Sequence, residues 1–319
     1  MSMQVCCMGE LIVDMIASES GRLERVSGFL KNFGGAPANT AIGLAKLGVK
    51  VGYIGKVGND PFGDFLVKTL QENGVDVSGI VKDEQARTTL AFVCLTEDGE
   101  RDFTFYRNPG ADEQLSSEDV KEEFLTQAKI FHFGSLLQIR NPSRKATEKA
   151  LKIAKKNITF ISYDPNYRES LWKNKNLAKE TIFSTIPHVS FLKVSEEELE
   201  ILTGTKNPER AIEKLPVKNQ LIVVTLGKKG CYYYFHGISN YVKGFKVNVM
   251  DTTGAGDAFN AGALYGILPF VEKNKVSQLD KQELDMIFKQ ANLVAAVTTT
   301  KKGAITAFPS LDELENYRR

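Results

Sequence analysis

The stretch Asp251-Thr252-Thr253-Gly254-Ala255-Gly256-Asp257-Ala258-Phe259 joins a Gly-rich turn to the start of a small-residue helix. Glycines let backbone N–H groups approach an anion closely. A helix N-terminus adds unpaired donors and the positive end of its dipole. Gly254, Ala255 and Gly256 therefore suit a phosphate or another oxyanion. Asp257, in the first helical turn, has two readings: a cap that stabilises the helix, or a base taking a proton from a hydroxyl held beside the anion. The stretch is not a dinucleotide fingerprint, because Phe259 stands where G-x-G-x-x-G requires its third glycine. The P-loop ending G-K-[ST] is also absent.

Two further signals are separated from this one in the chain. Gly34-Gly35-Ala36-Pro37-Ala38-Asn39 lets backbone approach a ligand and opens a helix with an amide that both donates and accepts. With Asp14 at a strand end, these groups suit sugar hydroxyls; a tight turn with an N-cap is the plainer reading. Asp164-Pro165-Asn166-Tyr167-Arg168 follows an expected strand, at the end where ligands of open α/β sheets gather. Arg168 there suits an anionic oxygen. His132, His188 and His236 are scattered, pair with no Ser or Cys motif and read as structural.

The elements that must hold these residues follow from the pattern. The reading has one strand over Val5–Ile16, a helix over Ala38–Leu47 stopped by Gly48, a strand over Val51–Ile54 and a helix over Phe62–Asn73 closed by Gly74. Strands follow at Ile130–Phe133, Ile158–Tyr163, Ser190–Val194 and Leu221–Leu226, with helices between them. Cys231–Phe235 and Tyr241–Val249 read as antiparallel strands near an edge, and helices run over Gly254–Leu268 and Lys281–Val297. This alternation predicts a mostly parallel sheet covered by helices. Thr88–Arg107 breaks the rhythm: a β-rich run, a turn at Glu97-Asp98-Gly99-Glu100, then alternation of Phe103 and Phe105 with polar neighbours. That is a hairpin inserted into the α/β chain: standing off the main sheet it is a candidate lid or subunit contact, and the plainer reading is an edge extension of the main sheet.

Composition agrees with one α/β unit carrying a smaller addition. The 319 residues are 42% hydrophobic and 25% charged, enough to bury a sizeable core. A net charge of +2 argues against binding nucleic acid or a membrane surface by bulk electrostatics. Lys152, Lys155 and Lys156 fit a solvated helix face. Cys6, Cys7, Cys94 and Cys231 have no metal-ligand spacing and read as reduced, buried thiols. With no signal-peptide pattern and no apolar run of about 18 residues, a cytoplasmic location is expected by default.

Taken together, the sequence resembles the ribokinase-like carbohydrate kinases, or PfkB family, over essentially its whole length. Gly34-Gly35 with Asn39, and Asp251 to Asp257, carry the resemblance in order, separation and context. Within the family the chain most resembles fructokinases: Gly9-Glu10-Leu11-Ile12-Val13-Asp14, Arg87-Thr88, Phe105-Tyr106-Arg107-Asn108-Pro109, Phe131-His132-Phe133-Gly134-Ser135 and Asp164 to Arg168 are similar to theirs. The resemblance implies a single ribokinase-like domain over 1–319, with a small β-sheet lid from segments about 17–33 and 87–110.

It also implies roles. Asp257 is the expected base, the backbone of Gly254, Ala255 and Gly256 the anion hole, and Arg168 a contact to the transferred phosphate or substrate. Asp14, Gly34, Gly35 and Asn39 hold the sugar, with Tyr106 and Arg107 reaching in from the lid. Lys193, Thr225, Gly227, Gly230 and Asn292 serve ATP. Mg²⁺ bridges the phosphates with Glu198 acting through water, and K⁺ sits beside Asp251 and Thr253, with Lys301-Lys302-Gly303 as the partner loop. The family's Asn-x-x-Glu motif reads Ser195-Glu196-Glu197-Glu198 here, so that role rests on Glu198. The implied activity is ATP-dependent phosphorylation of D-fructose, at the 6-hydroxyl, by a homodimer joined through the lid. The alternatives are another acceptor (2-keto-3-deoxygluconate, ribose or a nucleoside) or a non-catalytic sugar-binding regulator; the missing fingerprint speaks against an oxidoreductase.

Overall fold

A computed structural model describes residues 3–95, 101–157 and 160–318. Its strands are β1 (Val5–Met8), β2 (Ile12–Ala17), β3 (Phe29–Gly34), β4 (Val51–Gly58), β5 (Asp76–Asp83), β6 (Thr89–Leu95), β7 (Arg101–Tyr106), β8 (Ile130–Phe133), β9 (Phe160–Tyr163), β10 (Phe191–Ser195), β11 (Leu221–Thr225), β12 (Gly230–Phe235) and β13 (Ile238–Lys243). Its helices are α1 (Ala36–Lys46), α2 (Pro61–Glu72), the short α3 (Glu122–Leu125), α4 (Ser143–Lys156), α5 (Lys175–Thr185), α6 (Glu196–Thr203), α7 (Pro208–Ile212), α8 (Ala255–Glu272), α9 (Lys281–Thr298) and α10 (Leu311–Arg318).

Nine strands form one sheet in the order β13-β12-β11-β10-β9-β8-β1-β4-β5. It is parallel from β11 to β5 and antiparallel only where β12 and β13 extend it. The central strands read as mostly apolar runs because both faces are covered, with His132, Ser162 and Lys193 as buried polar exceptions. Val5, Cys7, Leu221 and Val223 face one core with α1, α2, α8 and α9, while Cys6, Met8, Ile222 and Val224 face a second core with α3 to α7. Each such side chain removed from water contributes about 1.5–3 kcal/mol. The helix pair that matters for the site, α1 on α8, packs closely: a Cβ at Gly43 would stand 2.8 Å from the Ala261 Cβ. Strand order turns at β1, which has β8 on one side and β4 on the other, and ligands of such sheets bind at the carboxyl end of that switch point.

The second sheet is small, in the order β3-β2-β6-β7. Here the structure corrects the reading of one strand over Val5–Ile16. The chain runs through β1, breaks at Gly9-Glu10-Leu11, and enters the small sheet as β2, which pairs with β3 and β6. The small sheet is thus wider than segments 17–33 and 87–110, because β2 is one of its two inner strands. β5 was not expected from the sequence; it alternates exposed and half-buried residues at the sheet edge, with little apolar run to read. The expected turn at 97–100 and the start of the Ile158 strand lie outside the described residues. Among the described residues, no helix is long and apolar enough to cross a membrane.

Candidate active site

α8 begins after Gly254, whose φ of +76° is the left-handed conformation open to glycine. A Cβ there would also meet the Ala304 Cβ at 2.7 Å, so the turn excludes side chains twice over. Asp257 lies one turn in, 6% exposed. Its Oδ2 accepts a hydrogen bond from Asn39 Nδ2 at 2.8 Å. The Gly-Gly-x-x-x-Asn segment at the head of α1 therefore meets the Gly-rich turn at the head of α8, joining two motifs more than 200 positions apart in the chain. Burial pushes the Asp257 carboxyl up to about 7, with Asp164 adding to the shift and Asn39, Lys193 and Arg168 opposing it. A carboxylate with that value near neutral pH is matched to general-base work. A helix cap held far below 4 would not be.

Of the expected anion-hole donors, the Ala255 N–H is already bonded to the Thr252 C=O at 3.2 Å. Among the described residues, the Gly256 and Asp257 N–H groups have no backbone acceptor. They are the donors the helix start presents to an anion.

Beside Asp257 lies a buried network that the sequence reading did not assemble. Asp164, at the end of β9, accepts at Oδ2 from Lys193 Nζ (2.9 Å) and from Asn260 Nδ2 (2.6 Å). Burial would lower the Lys193 pKa, but the charges of Asp164 and Glu198 raise it instead, so Lys193 is a cation. A Cβ on Gly256 would lie 3.2 Å from its Nζ, which puts that charge against the anion-binding turn. Two signals pointed here: a Lys inside the apolar run of β10, and Asn260 three residues after Asp257, on the same helix face.

Glu198 is buried and forms a capping box on α6: Oε2 accepts from the Ser195 N–H at 2.8 Å, Oε1 from the Tyr167 N–H at 2.7 Å. Burial and the Asp164 charge raise its pKa. Each oxygen retains a lone pair. Glu198 lines a cavity of about 380 Å³ with Lys193, Arg168, Asn166 and Tyr167. The donor set fits a divalent cation that keeps its waters and is shared with substrate phosphates. Arg168 is exposed at the cavity mouth, close enough to Asp14 and Asp257 to lower both.

Asp14, on β2, is half-buried, and burial raises it to about 6. A Cβ on Gly34 would touch its carboxylate at 2.5 Å, so Asp14 and the Gly34-Gly35 turn share one spot. Asp251 Oδ1 accepts from the Thr253 N–H and Oγ1, and Oδ2 from the Gly303 N–H at 2.9 Å. Those bonds bring together the two loops expected to flank a monovalent cation.

Other expected residues are placed differently. The Arg107 guanidinium is buried and paired, with Nη2 to Asp112 Oδ2 at 2.6 Å and Nη1 to Glu113 at 3.5 Å. Tyr106 is 67% exposed, edge-on to Phe92. Thr225 ends β11, Gly227 lies in the turn that follows, and Gly230 opens β12. Asn292 is buried on α9 and donates to the Val242 C=O at 3.0 Å, bracing the β12–β13 edge from beneath.

Fold and site together fit a phosphoryl-transfer class: a buried carboxylate and unpaired N–H donors at a helix start, with a second carboxylate and a Gly-Gly turn on a small second sheet. Residues 2–311 match the profile of the pfkB family carbohydrate kinases. A probable fructokinase-2 of Arabidopsis thaliana is 44% identical over 309 residues, covering 96% of this chain and 93% of that protein. Among solved structures, a fructokinase with bound ATP from Xylella fastidiosa superposes with a TM-score of 0.90 at 33% identity, covering 99% of this chain and 98% of that one. A double-mutant fructokinase from Vibrio cholerae O395, in a form with bound fructose, ADP and potassium ion, superposes at 0.86 with 35% identity, covering 100% and 99%. The chain belongs to the pfkB family of carbohydrate kinases.

Proposed function

We propose that this chain is an ATP-dependent fructokinase that forms fructose 6-phosphate. The observation that carries the reading is the Asn39–Asp257 hydrogen bond at 2.8 Å, which joins the hydroxyl-binding turn to a buried carboxylate titrating near 7. The similarity to fructokinases supports fructose as the acceptor.

In this reading Asp14 and the Gly34-Gly35 turn hold the sugar hydroxyls, and Asn39 aims Asp257 Oδ2 at the acceptor hydroxyl. Asp257 takes that proton as the oxygen attacks the γ-phosphorus and the bond to the β-phosphate oxygen breaks. Such a transfer asks little covalent chemistry of the protein and draws its rate from positioning and electrostatics. The Gly256 and Asp257 N–H groups, the Lys193 ammonium and Arg168 supply positive potential where charge builds. Thr225, Gly227, Gly230 and Asn292 line or brace the nucleotide side. Mg²⁺ placed through water by Glu198 would neutralise phosphate charge, and K⁺ would sit at the Asp251–Gly303 junction. The small sheet acts as a lid that excludes water. Ile16, Leu30 and Phe103 remain exposed on it, at 37%, 63% and 40%, an apolar surface that supports a homodimer through the lid.

The test is ATP consumption by purified protein with Mg²⁺ and K⁺, offered fructose, ribose, glucose, 2-keto-3-deoxygluconate and a nucleoside in parallel. Turnover dominated by fructose, with phosphate on the 6-hydroxyl by NMR, is the expected result. Turnover on another acceptor alone rejects fructose and keeps the Asp257 chemistry.

A further inference from the structure

Glu10 is 3% exposed, sits where the chain leaves β1 for the small sheet, and has no part in the phosphoryl-transfer scheme above. Its Oε1 accepts from the Ala36 N–H at 2.9 Å. Ala36 is the first residue of α1, so this carboxylate caps the helix from a distant segment; Gly35, the N-cap residue, has no side chain to do so. The Glu10 C=O lies against the same turn: a Cβ on Gly35, whose φ is +115°, would fall 2.3 Å from it. Tyr53 Oη donates to that carbonyl at 3.0 Å. Turn, carbonyl and carboxylate thus form one rigid corner.

The other carboxylate oxygen, Oε2, is buried without a hydrogen-bond partner among the described residues. An unsatisfied buried polar atom is costly, and this one is held in the field of the Arg107–Asp112 pair. Arg107 follows β7, where the chain leaves the small sheet. Thr89, on β6, donates to Asp112 Oδ1 at 2.5 Å. Burial raises Glu10 to about 7, with Asp112 pushing up and Arg107 pulling down. The charged pair at the exit of the small sheet is therefore felt electrostatically at the side chain that stands at its entry.

We propose that Glu10 is a positioning residue for the acceptor sugar: its bond to the Ala36 N–H sets the Gly34-Gly35 turn, and through Asn39 the aim of Asp257. This rests on the sugar-kinase reading, and the experiment separates the two. Glu10→Asp keeps the charge but is one carbon–carbon bond, about 1.5 Å, too short to reach Ala36. Glu10→Gln keeps an oxygen acceptor and drops the charge.

With sugar and ATP varied separately, Glu10→Asp raises the sugar KM about tenfold or more, the size of one lost bond to a charged acceptor. Glu10→Gln stays within about threefold, and the ATP KM holds in both. Equal effects of the two variants, a near-normal Glu10→Asp, or an ATP KM that rises with the sugar KM overturns the proposal. Where Glu10→Asp does not fold, Glu10→Gln decides alone: a sugar KM raised beyond about threefold overturns it. Wild-type turnover on the sugar panel tests the kinase reading by itself. Hydrogen exchange at the Ala36 amide tests Glu10 even with no sugar turned over. Faster exchange in Glu10→Asp alone supports the assignment, and unchanged exchange in Glu10→Asp refutes it.

Discussion

At the head of α8 the polar side chains are buried and paired: Asp257 with Asn39, Asp164 with Lys193 and Asn260, Glu198 with two backbone amides. Opposite them, the small sheet leaves Asp14 half-exposed and Ile16, Leu30, Phe103 and Tyr106 open to solvent. One wall is fixed before any ligand arrives, so its dipoles need no reorganisation during reaction. The other wall has unsatisfied surface that a sugar or a second subunit would cover. On the proposed function, chemistry belongs to the rigid wall and selection of the acceptor to the adaptable one.

The contrast breaks first at Asp257. Replacing it with Ala or Asn lowers kcat by about 10²–10⁴-fold, the usual contribution of a general base, with the ATP KM little changed; retention of more than about a tenth of wild-type kcat in steady-state assays removes the assignment. Lys193→Met comes next. It leaves Asp164 as an uncompensated buried charge and costs about 3–5 kcal/mol of stability, measured by urea unfolding. Lys193→Met with Asp164→Asn should recover part of that loss.

A third test uses pH. Asp257 titrates at about 7 in the fold against an ordinary 3.8, so the folded state holds its proton more tightly than the unfolded chain. The stability tied to that proton is present below pH 4, falls as pH rises toward 7, and is absent above. The shift is worth about 4 kcal/mol. Asp257→Asn should therefore gain stability over wild type at pH 8 and lose that advantage at pH 4, by thermal unfolding. Wild-type kcat/KM should rise with pH through about 7, as the base loses its proton. On the adaptable wall the effects are smaller. Asp14→Asn should raise the sugar KM about tenfold with the ATP KM unmoved, as expected for a lost charge-assisted bond. Phe103→Ser should weaken self-association in sedimentation while leaving kcat within about twofold, since a surface change away from the chemistry is small.

The sequence announced the rigid wall better than the adaptable one. The Gly-rich turn at Gly254 and the apolar runs of β8 to β11 are local patterns, each imposed by backbone conformation or by two-sided burial. The break at Gly9-Glu10-Leu11 was hidden, because β1 and β2 are both apolar and only tertiary pairing sends them to different sheets. The setting of Arg107 was hidden for a similar reason. An Arg after a lid strand suits an anionic ligand, yet Asp112 and Glu113, five and six residues on, claim it first. The Asp164–Lys193–Asn260 network needs three elements to converge: the Lys inside β10 and the three-residue spacing of Asp257 and Asn260 mark two of its members, and their meeting at Asp164 is set by tertiary pairing alone.

The close seating of α1 on α8 sets a limit on how such a sequence can drift. Asn39 and Gly43 lie one helical turn apart, and Gly43 is where α1 touches Ala261. A single methyl group added at Gly43 would wedge the helices and carry Asn39 away from Asp257, silencing turnover from a site that meets no ligand. At the α1–α8 seam the permitted alphabet is short, and the reach of Asn39 to Asp257 is inherited as an absence of atoms.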